Sequence, residues 1–321
     1  MNKIAKATLG VAGCALGSAG LGYGLCVLAD ELLFNRKFEL PTAINYKIGG
    51  CDTSHLGEYM TNNINWLEEY GYERHFITSD RGEKLTGILF RPENESNIYL
   101  FCAHGYRSCG KKEFNGVIRF YLERGYNVFL PDHVGAGESE GSHCTFGYYE
   151  TEDCLKWLGY LNENFGSNIR IVLHGVSMGS ATVIMMNGRD ELPDNVEAVV
   201  ADCGFSTATG LFAHKLSTFG IKKNEKIIDA VNYVNKKNNG FDFEKIRPLD
   251  SVQKAKTPMF FIHGADDALV PCFMVNELYD ACTAEKKELL IVEGADHAQS
   301  CMKGDEEYRT MLGNFLDEVL V

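Results

Sequence analysis

The sequence predicts an α/β fold built on a mostly parallel, twisted sheet with helices on both faces. From about residue 72 onward, strand-like apolar segments alternate with amphipathic helical segments, which is the order of βαβ units. The strand-like segments are also apolar along their whole length, as in IYLFCA at 98–103. Continuous apolar strands are typical of a parallel sheet that is covered on both faces.

The individual elements follow from local patterns in the soluble part of the chain. An opening hairpin is predicted at 74–80 and 84–92, and buried strands at 97–105, 127–135, 169–174, 196–204, 258–264 and 287–294. Helices are predicted at 113–125, 149–166, 178–188, 271–283 and 305–320. Residues 205–247 interrupt the alternation and predict a helical cap insertion. Such an insertion would stand above the carboxyl ends of the strands, where the sites of these sheets lie.

The N-terminal 34 residues differ in composition from the rest of the chain. Residues 7–29 contain no charged side chain and are long enough to cross a bilayer, which predicts a single-pass transmembrane helix within an anchor at 1–34. A cleaved signal peptide is the alternative. Residues 35–71 predict a linker followed by an amphipathic helix, and the main domain would occupy 72–321.

The side of the membrane on which the main domain lies stays open. Lys3 and Lys6 precede the apolar run and slightly favour an extracytoplasmic domain. Eleven cysteines, none in a CxxC pair or at zinc-site spacing, predict buried free thiols, which favour a reducing compartment instead.

Charge and composition exclude some functions. The formal net charge of −13 disfavours nucleic-acid binding, because phosphates would be repelled. We expect no metal ion and no cofactor, and the oligomeric state is left open. Through residues 7–29, the membrane is an expected partner.

A serine between two glycines ends the strand-like segment at 169–174. In HGVSMG, Ser177 is flanked by Gly175 and Gly179, which remove side chains where the following helix must pass close to neighbouring strands. Such a turn exposes the serine oxygen as a nucleophile, and it leaves the Met178 amide at a helix start, where it can donate to an oxyanion. The alternative is an ordinary strand-to-helix turn.

A base and an acid for this serine follow later strands. His297 comes after the last strand-like segment, and Asp267 comes after the preceding one. The resulting order of serine, aspartate and histidine is that of nucleophile-elbow hydrolases. Asp266 and Asp202 remain alternative acids at this point.

Five motifs make the chain resemble the α/β-hydrolase superfamily, and within it the serine aminopeptidase-like and BEM46-like branch. The resemblance covers about residues 72–320 and is carried by AHGYRS (103–108), LPDHVGAGESEG (130–141), HGVSMG (174–179), HGADDALVP (263–271) and GADHAQS (294–300). It implies that Ser177 is the nucleophile, Asp267 the acid and His297 the base. It also assigns the oxyanion hole to the backbone N–H groups of Tyr106 and Met178.

The expected function is therefore a serine hydrolase that cleaves acyl bonds, with carboxylic esters as the preferred class, through a covalent acyl-enzyme. The expected substrate partner is a small-molecule or lipid-like acyl compound. A serine peptidase, an aminopeptidase or a thioesterase could use the same triad. An alternative of another class is a non-catalytic binding module with a hydrolase fold.

The cap insertion adds an expectation about the substrate. It carries seven lysines and Arg247 against four acidic residues, and its apolar residues precede most of the lysines. Phe212 and Phe219 are predicted to line an acyl pocket above Ser177, with the basic half of the cap facing anionic headgroups or an anionic substrate. The alternative is a solvated helical insertion that docks on the core.

Overall fold

Eight strands are present in the part of the chain that the computed structural model describes, namely residues 22–36, 57–94, 96–222 and 225–320. They are β1 (Glu73–Thr78), β2 (Lys84–Phe90), β3 (Ile98–Ala103), β4 (Asn127–Pro131), β5 (Arg170–Val176), β6 (Val196–Asp202), β7 (Met259–Gly264) and β8 (Lys287–Val292). They form one sheet in the order β1-β2-β4-β3-β5-β6-β7-β8.

The helices of the described residues lie before, between and after these strands. They are α1 (22–34), α2 (Gly57–Tyr70), α3 (Gly110–Phe114), α4 (Ile118–Glu123), α5 (Tyr148–Phe165), α6 (Met178–Asn187), α7 (Ala208–Thr218), α8 (Glu225–Asn238), α9 (Pro248–Val252), α10 (Phe273–Ala281), α11 (Ser300–Lys303) and α12 (Asp305–Val319), with a 3₁₀ helix at Phe243–Lys245.

The sheet is mostly parallel, as the sequence predicts. Only the pairs β1–β2 and β2–β4 are antiparallel, and every pair from β4 to β8 is parallel. One face packs against α5, α6 and α10 through side chains such as Trp157 and Leu278. The other face packs against α3, α4 and α12 through Tyr121 and Phe315. Burial on both faces explains why the strands carry few polar residues.

The helix predicted at 113–125 and the strand predicted at 127–135 depart clearly from their expected bounds. The helix predicted at 113–125 is two helices, because Asn115 caps α3 by donating from Nδ2 to the Lys112 carbonyl and Gly116 follows it. The strand predicted at 127–135 ends at Pro131, because the following side chain, that of Asp132, accepts hydrogen bonds from backbone N–H groups of neighbouring loops. The Asp132 carboxylate accepts the Gly110 N–H at 3.1 Å and the Glu138 N–H at 3.0 Å.

The N-terminal prediction lies mostly outside the described residues. Of the predicted span at 7–29, only residues 22–29 are described, as part of α1. Within the ranges given above, the structure contains no helix whose length and hydropathy would suffice to cross a bilayer. The last turn of α1 is packed on the main domain, since Asp30 and Phe34 are each 1% exposed.

The predicted cap lies between β6 and β7 and contains α7, α8 and the 3₁₀ helix. The Thr207 side chain starts α7 by accepting the Gly210 N–H at 3.1 Å. In α8, Ile228 and Val231 are buried, whereas the lysine-bearing face is exposed. The insertion is therefore an amphipathic layer over the carboxyl ends of the strands.

The cysteines behave as small apolar side chains where the structure describes them. The nine described cysteines are all free, and Cys102, Cys154 and Cys203 are fully buried. Burial raises the pKa of each of these three thiols well above its ordinary value, so they stay protonated and unreactive.

Candidate active site

Ser177 lies on a sharp turn between β5 and α6. Its backbone has φ of 58° and ψ of −116°, a strained conformation for a residue with a side chain. The Ser177 N–H donates to the Asp202 carbonyl at 2.8 Å, which ties the turn to the neighbouring strand. A Cβ on Gly175 would overlap the Gly179 backbone, and a Cβ on Gly179 would overlap the Ala103 carbonyl. Both glycines are therefore required for the close passage of α6.

His297 links Ser177 to Asp267 in a continuous hydrogen-bonded chain. Its Nε2 lies 2.8 Å from Ser177 Oγ, and its Nδ1 lies 2.7 Å from Asp267 Oδ2. The three side chains come from the carboxyl ends of β5, β7 and β8, which meet at one edge of the sheet. Because the carboxylate can only accept, Nδ1 carries the proton and Nε2 is free to accept one from the serine.

The carboxylate of Asp267 is held in its ionised form. Its Oδ1 accepts the N–H groups of Leu269 at 2.9 Å and Val270 at 2.8 Å, and its Oδ2 lies 3.2 Å from His263 Nε2. Burial would raise the pKa of this carboxyl, but the charge of His297 and the hydrogen bonds from His263 and His297 outweigh burial. The pKa of Asp267 therefore lies well below its usual range.

His297 is a stronger base than an ordinary histidine. Burial alone would lower its pKa, but the neighbouring Asp267 carboxylate reverses the shift, and the charges of Glu113 and Asp202 add to it. The pKa of His297 consequently lies above the ordinary value of 6.5. A raised pKa suits a residue that must take and then return a proton near neutral pH.

The other two aspartates that the sequence left open lie elsewhere. Asp266 is exposed to solvent. Asp202 is buried and accepts the Tyr308 hydroxyl at 3.3 Å, and burial raises its pKa to about 7. The structure places the Asp267 carboxylate within hydrogen-bonding distance of His297 Nδ1.

The two residues assigned to the oxyanion hole flank Ser177. Met178 is the first residue of α6, where backbone N–H groups have no partner within the helix. Tyr106 follows β3, next to Gly105, and a Cβ on Gly105 would lie 3.3 Å from the Ser177 Cβ. The backbone of this loop therefore runs beside the serine.

Glu113 is a residue near the site that sequence reasoning missed. Its Oε2 would lie 3.5 Å from a Cβ on Gly105, and its charge contributes to the raised pKa of His297. No pattern in the sequence marks Glu113, because its place beside the site depends on the break that separates α3 from α4, and the sequence predicts one continuous helix there.

One cluster of potential metal ligands occurs among the described residues, and it includes two triad members. The ligating atoms of Cys203, Asp267 and His297 lie within 4.8 Å of one another. The Cys203 thiol stays protonated because burial raises its pKa, and a thiol in that form is a poor ligand. The histidine and the carboxylate already bind each other.

The two predicted pocket residues lie in different surroundings. Phe212 packs in an aromatic cluster, with its ring centroid 5.2 Å from those of Phe146 and Phe243. The same apolar cluster contains Met178, so Phe212 is connected to the serine turn. Phe219 instead caps the C-terminal end of α7 and is 56% exposed.

A protein family and a solved structure resemble this chain over much of its length. The sequence profile of the prolyl oligopeptidase family matches residues 112–320. The solved structure of the Pyrococcus furiosus esterase Pf2001 is similar to this chain with a TM-score of 0.65 and 27% identity, and the match covers 79% of this chain and 93% of that one.

Two curated relatives extend the similarity to bacteria and yeast. The uncharacterised protein YqkD of Bacillus subtilis is 27% identical, over 76% of this chain and 78% of its own length. An uncharacterised membrane protein of Saccharomyces cerevisiae, YNL320W, is 23% identical, over 77% of this chain and 80% of its own length. The chain is thus a hydrolase that belongs to the prolyl oligopeptidase family of the α/β-hydrolase superfamily, the superfamily that its motifs predict.

Proposed function

We propose that this hydrolase cleaves carboxylic esters by nucleophilic catalysis, with Ser177 as nucleophile, His297 as base and Asp267 as the acid that orients it. The observation that carries the proposal is the chain of hydrogen bonds at 2.7 and 2.8 Å through both nitrogens of His297. Ser177, at one end of these hydrogen bonds, lies on a strained turn at the start of α6. Such a turn places the serine oxygen beside the Met178 amide, which can donate a hydrogen bond.

In the first half of the reaction, Ser177 Oγ attacks the ester carbonyl while its proton passes to His297 Nε2. The carbonyl oxygen becomes an oxyanion that accepts hydrogen bonds from the Tyr106 and Met178 amides. Asp267 stabilises the imidazolium. The C–O bond of the ester then breaks, and the Nε2 proton moves to the departing alcohol, which leaves an acyl-serine.

In the second half, the same groups act on water. His297 removes a proton from a water molecule, whose oxygen attacks the acyl-serine carbonyl. A second oxyanion forms and collapses, the bond to Ser177 Oγ breaks, and the proton on Nε2 returns to the serine. The products are a carboxylic acid and an alcohol, and the reaction needs no oxidant or reductant.

The proposed substrate has an apolar acyl chain, because the surroundings of the serine turn are aromatic. On p-nitrophenyl esters of graded chain length, we expect Phe212→Ala to shift the preferred acyl length while the turnover of the acetate ester stays near that of the wild type. Phe76→Ala, at an exposed phenylalanine on the outer strand β1, is the matched control. An unchanged chain-length profile in Phe212→Ala would show that this cluster does not contact the acyl chain.

A peptidase is the second candidate, and two observations favour it. The matching family takes its name from an oligopeptidase, and the Glu113 carboxylate lies close enough to the serine turn to bind a substrate ammonium group. Aminoacyl amides tested beside the esters distinguish the two candidates. If the amides have the higher kcat/KM, and Glu113→Gln abolishes that preference, the ester assignment fails.

The proposed location is the membrane, with a single span at 7–29 and the hydrolase domain on the extracytoplasmic side. The apolar run, the preceding Lys3 and Lys6 and the membrane protein among the relatives support this location. Exposed apolar and basic side chains also occur together on α1 and on the cap, including Tyr23, Leu25, Leu28, Ile227, Tyr233 and Lys237.

Membrane attachment predicts that the full-length protein pellets with membranes and resists extraction by alkaline carbonate. Val11→Arg combined with Leu16→Arg should release it, because charged side chains at the centre of a span each cost about 2.5–3.5 kcal/mol on insertion scales. Protease accessibility in intact cells reports the side of the domain. A mature chain that begins at Asp30 would contradict the anchor and establish a cleaved signal peptide.

A further inference from the structure

Residues 30–36, here called the N-terminal strap, are packed into the hydrolase domain although they lie outside the region that matches the family. Asp30 and Phe34 are each 1% exposed. Asp30 Oδ2 accepts the side-chain amide of Asn239 at 3.1 Å and that of Asn238 at 3.4 Å, which fixes the start of the strap to the cap.

One edge of the strap accepts hydrogen bonds from the loop that contains Tyr106. The Tyr106 hydroxyl donates to the Leu33 carbonyl at 2.6 Å. Arg107 Nη2 donates to the Leu32 carbonyl at 2.9 Å and to the Asn35 carbonyl at 3.1 Å, and its Nε donates to the Tyr106 hydroxyl oxygen at 2.8 Å. Carbonyls at the end of a helix lack partners within it, and a guanidinium is favoured there by the helix dipole.

The backbone of this loop needs such external support. Arg107 has φ of 55°, in the left-handed region that residues with side chains avoid. Residues remain in that region only where the surroundings determine their conformation. The Tyr106 N–H belongs to the rigid peptide plane between Gly105 and Tyr106, directly before this residue. The strap binds both Tyr106 and Arg107, and these contacts restrict the rotation of that peptide.

The other edge of the strap contacts residues 142–144, which lie next to Met178. The Cys144 N–H donates to the Phe34 carbonyl at 2.8 Å, and the Arg36 N–H donates to the Ser142 carbonyl at 2.6 Å. Cys144 Sγ in turn lies 3.2 Å from Met178 Sδ. The strap therefore connects the loops that flank Ser177 on both sides.

We propose that the N-terminal strap positions the oxyanion-hole loop, and that Arg107 and the Tyr106 hydroxyl are the positioning groups through which it acts. The inference rests on the proposed function. Neither group is assigned a contact with substrate, so their effect falls on the transition state, whose oxyanion requires correctly directed amides. A displaced amide lowers kcat and leaves the binding of the ground state unchanged.

The test is made in the full-length chain with Arg107→Met. We expect kcat on an ester to fall about 10- to 100-fold, less than or equal to the loss of a whole oxyanion donor, with KM nearly unchanged. Affinity for a trifluoromethyl ketone, which forms an oxyanion on the serine, should fall by a similar factor. Arg107→Lys should recover part of the loss, because its ammonium can still donate to the strap carbonyls.

Tyr106→Phe is the second variant. It keeps the aromatic ring and the backbone N–H, and it removes the hydroxyl that donates to the Leu33 carbonyl and accepts from Arg107 Nε. It should lower kcat in the same direction with an unchanged melting temperature. The matched control is Arg119→Met, at an exposed arginine on α4, which should leave the kinetics unchanged.

Three results would distinguish a failure of the inference from a failure of the proposed function. Wild-type kcat in both Arg107→Met and Tyr106→Phe, together with an inactive Ser177→Ala, would overturn the role of the strap alone. A raised KM with unchanged kcat would also overturn it, since Arg107 would then bind substrate. An active Ser177→Ala would overturn the proposed function itself.

Discussion

Ser177→Ala is expected to lower kcat by roughly 10⁴-fold or more, because the serine, the histidine and the aspartate act as a unit. His297→Ala should lower kcat by a comparable factor, and the double variant should be hardly worse than either one. The reason is that the serine hydroxyl is a weak nucleophile unless His297 Nε2, 2.8 Å away, accepts its proton. Steady-state ester hydrolysis with purified full-length protein measures the effect.

Ser180→Ala is the matched control for Ser177→Ala. Ser180 lies one turn further along α6 and is fully buried, and its hydroxyl has no hydrogen-bond partner among the described residues. Its removal should change neither kcat nor labelling by a fluorophosphonate probe, whereas Ser177→Ala should abolish labelling. If Ser177→Ala keeps more than a tenth of the wild-type turnover, the mechanism is wrong. If the wild-type protein is not labelled at Ser177, the domain is a binding module.

Asp267→Asn should lower kcat by about 10⁴-fold with the fold intact, because an amide at this position favours the wrong tautomer of His297. The substitution keeps the shape of the side chain and an oxygen that can accept the Leu269 and Val270 N–H groups. The loop after β7 should therefore stay in place, and the loss should be one of chemistry. Kinetics and the melting temperature, measured together, separate these effects.

The same substitution should change the pH dependence of kcat/KM. In the wild type, activity requires neutral His297, so kcat/KM rises with pH through a pKa that lies above 6.5. Asp267→Asn removes the carboxylate that raises this pKa and leaves the burial that lowers it. The acid limb of the residual activity should therefore move to lower pH. A limb that stays in place would show that Asp267 does not interact with the catalytic base.

Asp266→Asn is the control for this prediction, since the neighbouring aspartate is exposed. It should leave both kcat and the acid limb close to those of the wild type. If Asp266→Asn is the more damaging change, the assignment of the acid moves by one residue.

The sheet and the three proposed triad positions could be predicted from sequence because each depends on local pattern. Continuous apolar segments mark buried strands, and the residues that follow three of them are of the types that nucleophilic catalysis needs. The choice between Asp266 and Asp267 follows less directly, because it depends on which side chain the turn after β7 directs inward. In the structure the backbone N–H groups of Leu269 and Val270 donate hydrogen bonds to the Asp267 carboxylate and so fix its direction.

Features that depend on distant parts of the chain could not be predicted in this way. Glu113 reaches the site from a short helix that has no clear sequence pattern, and Phe34 is buried by partners from the cap. Phe212 and Phe219 look equivalent in sequence, yet they differ in exposure because α7 ends between them. Local periodicity contains no information on such contacts.

The position of the N-terminal strap bears on how the chain matures during synthesis. Asp30 leaves the ribosome early, but its partner Asn239 lies 209 residues later. Because closing so long a loop is slow and must await translation of the cap, the strap docks late in folding. A nascent chain that already contains Ser177 would still lack the restraint on its oxyanion-hole loop. Asp267 and His297 are synthesised later still, so the strap can restrain this loop before the triad is complete.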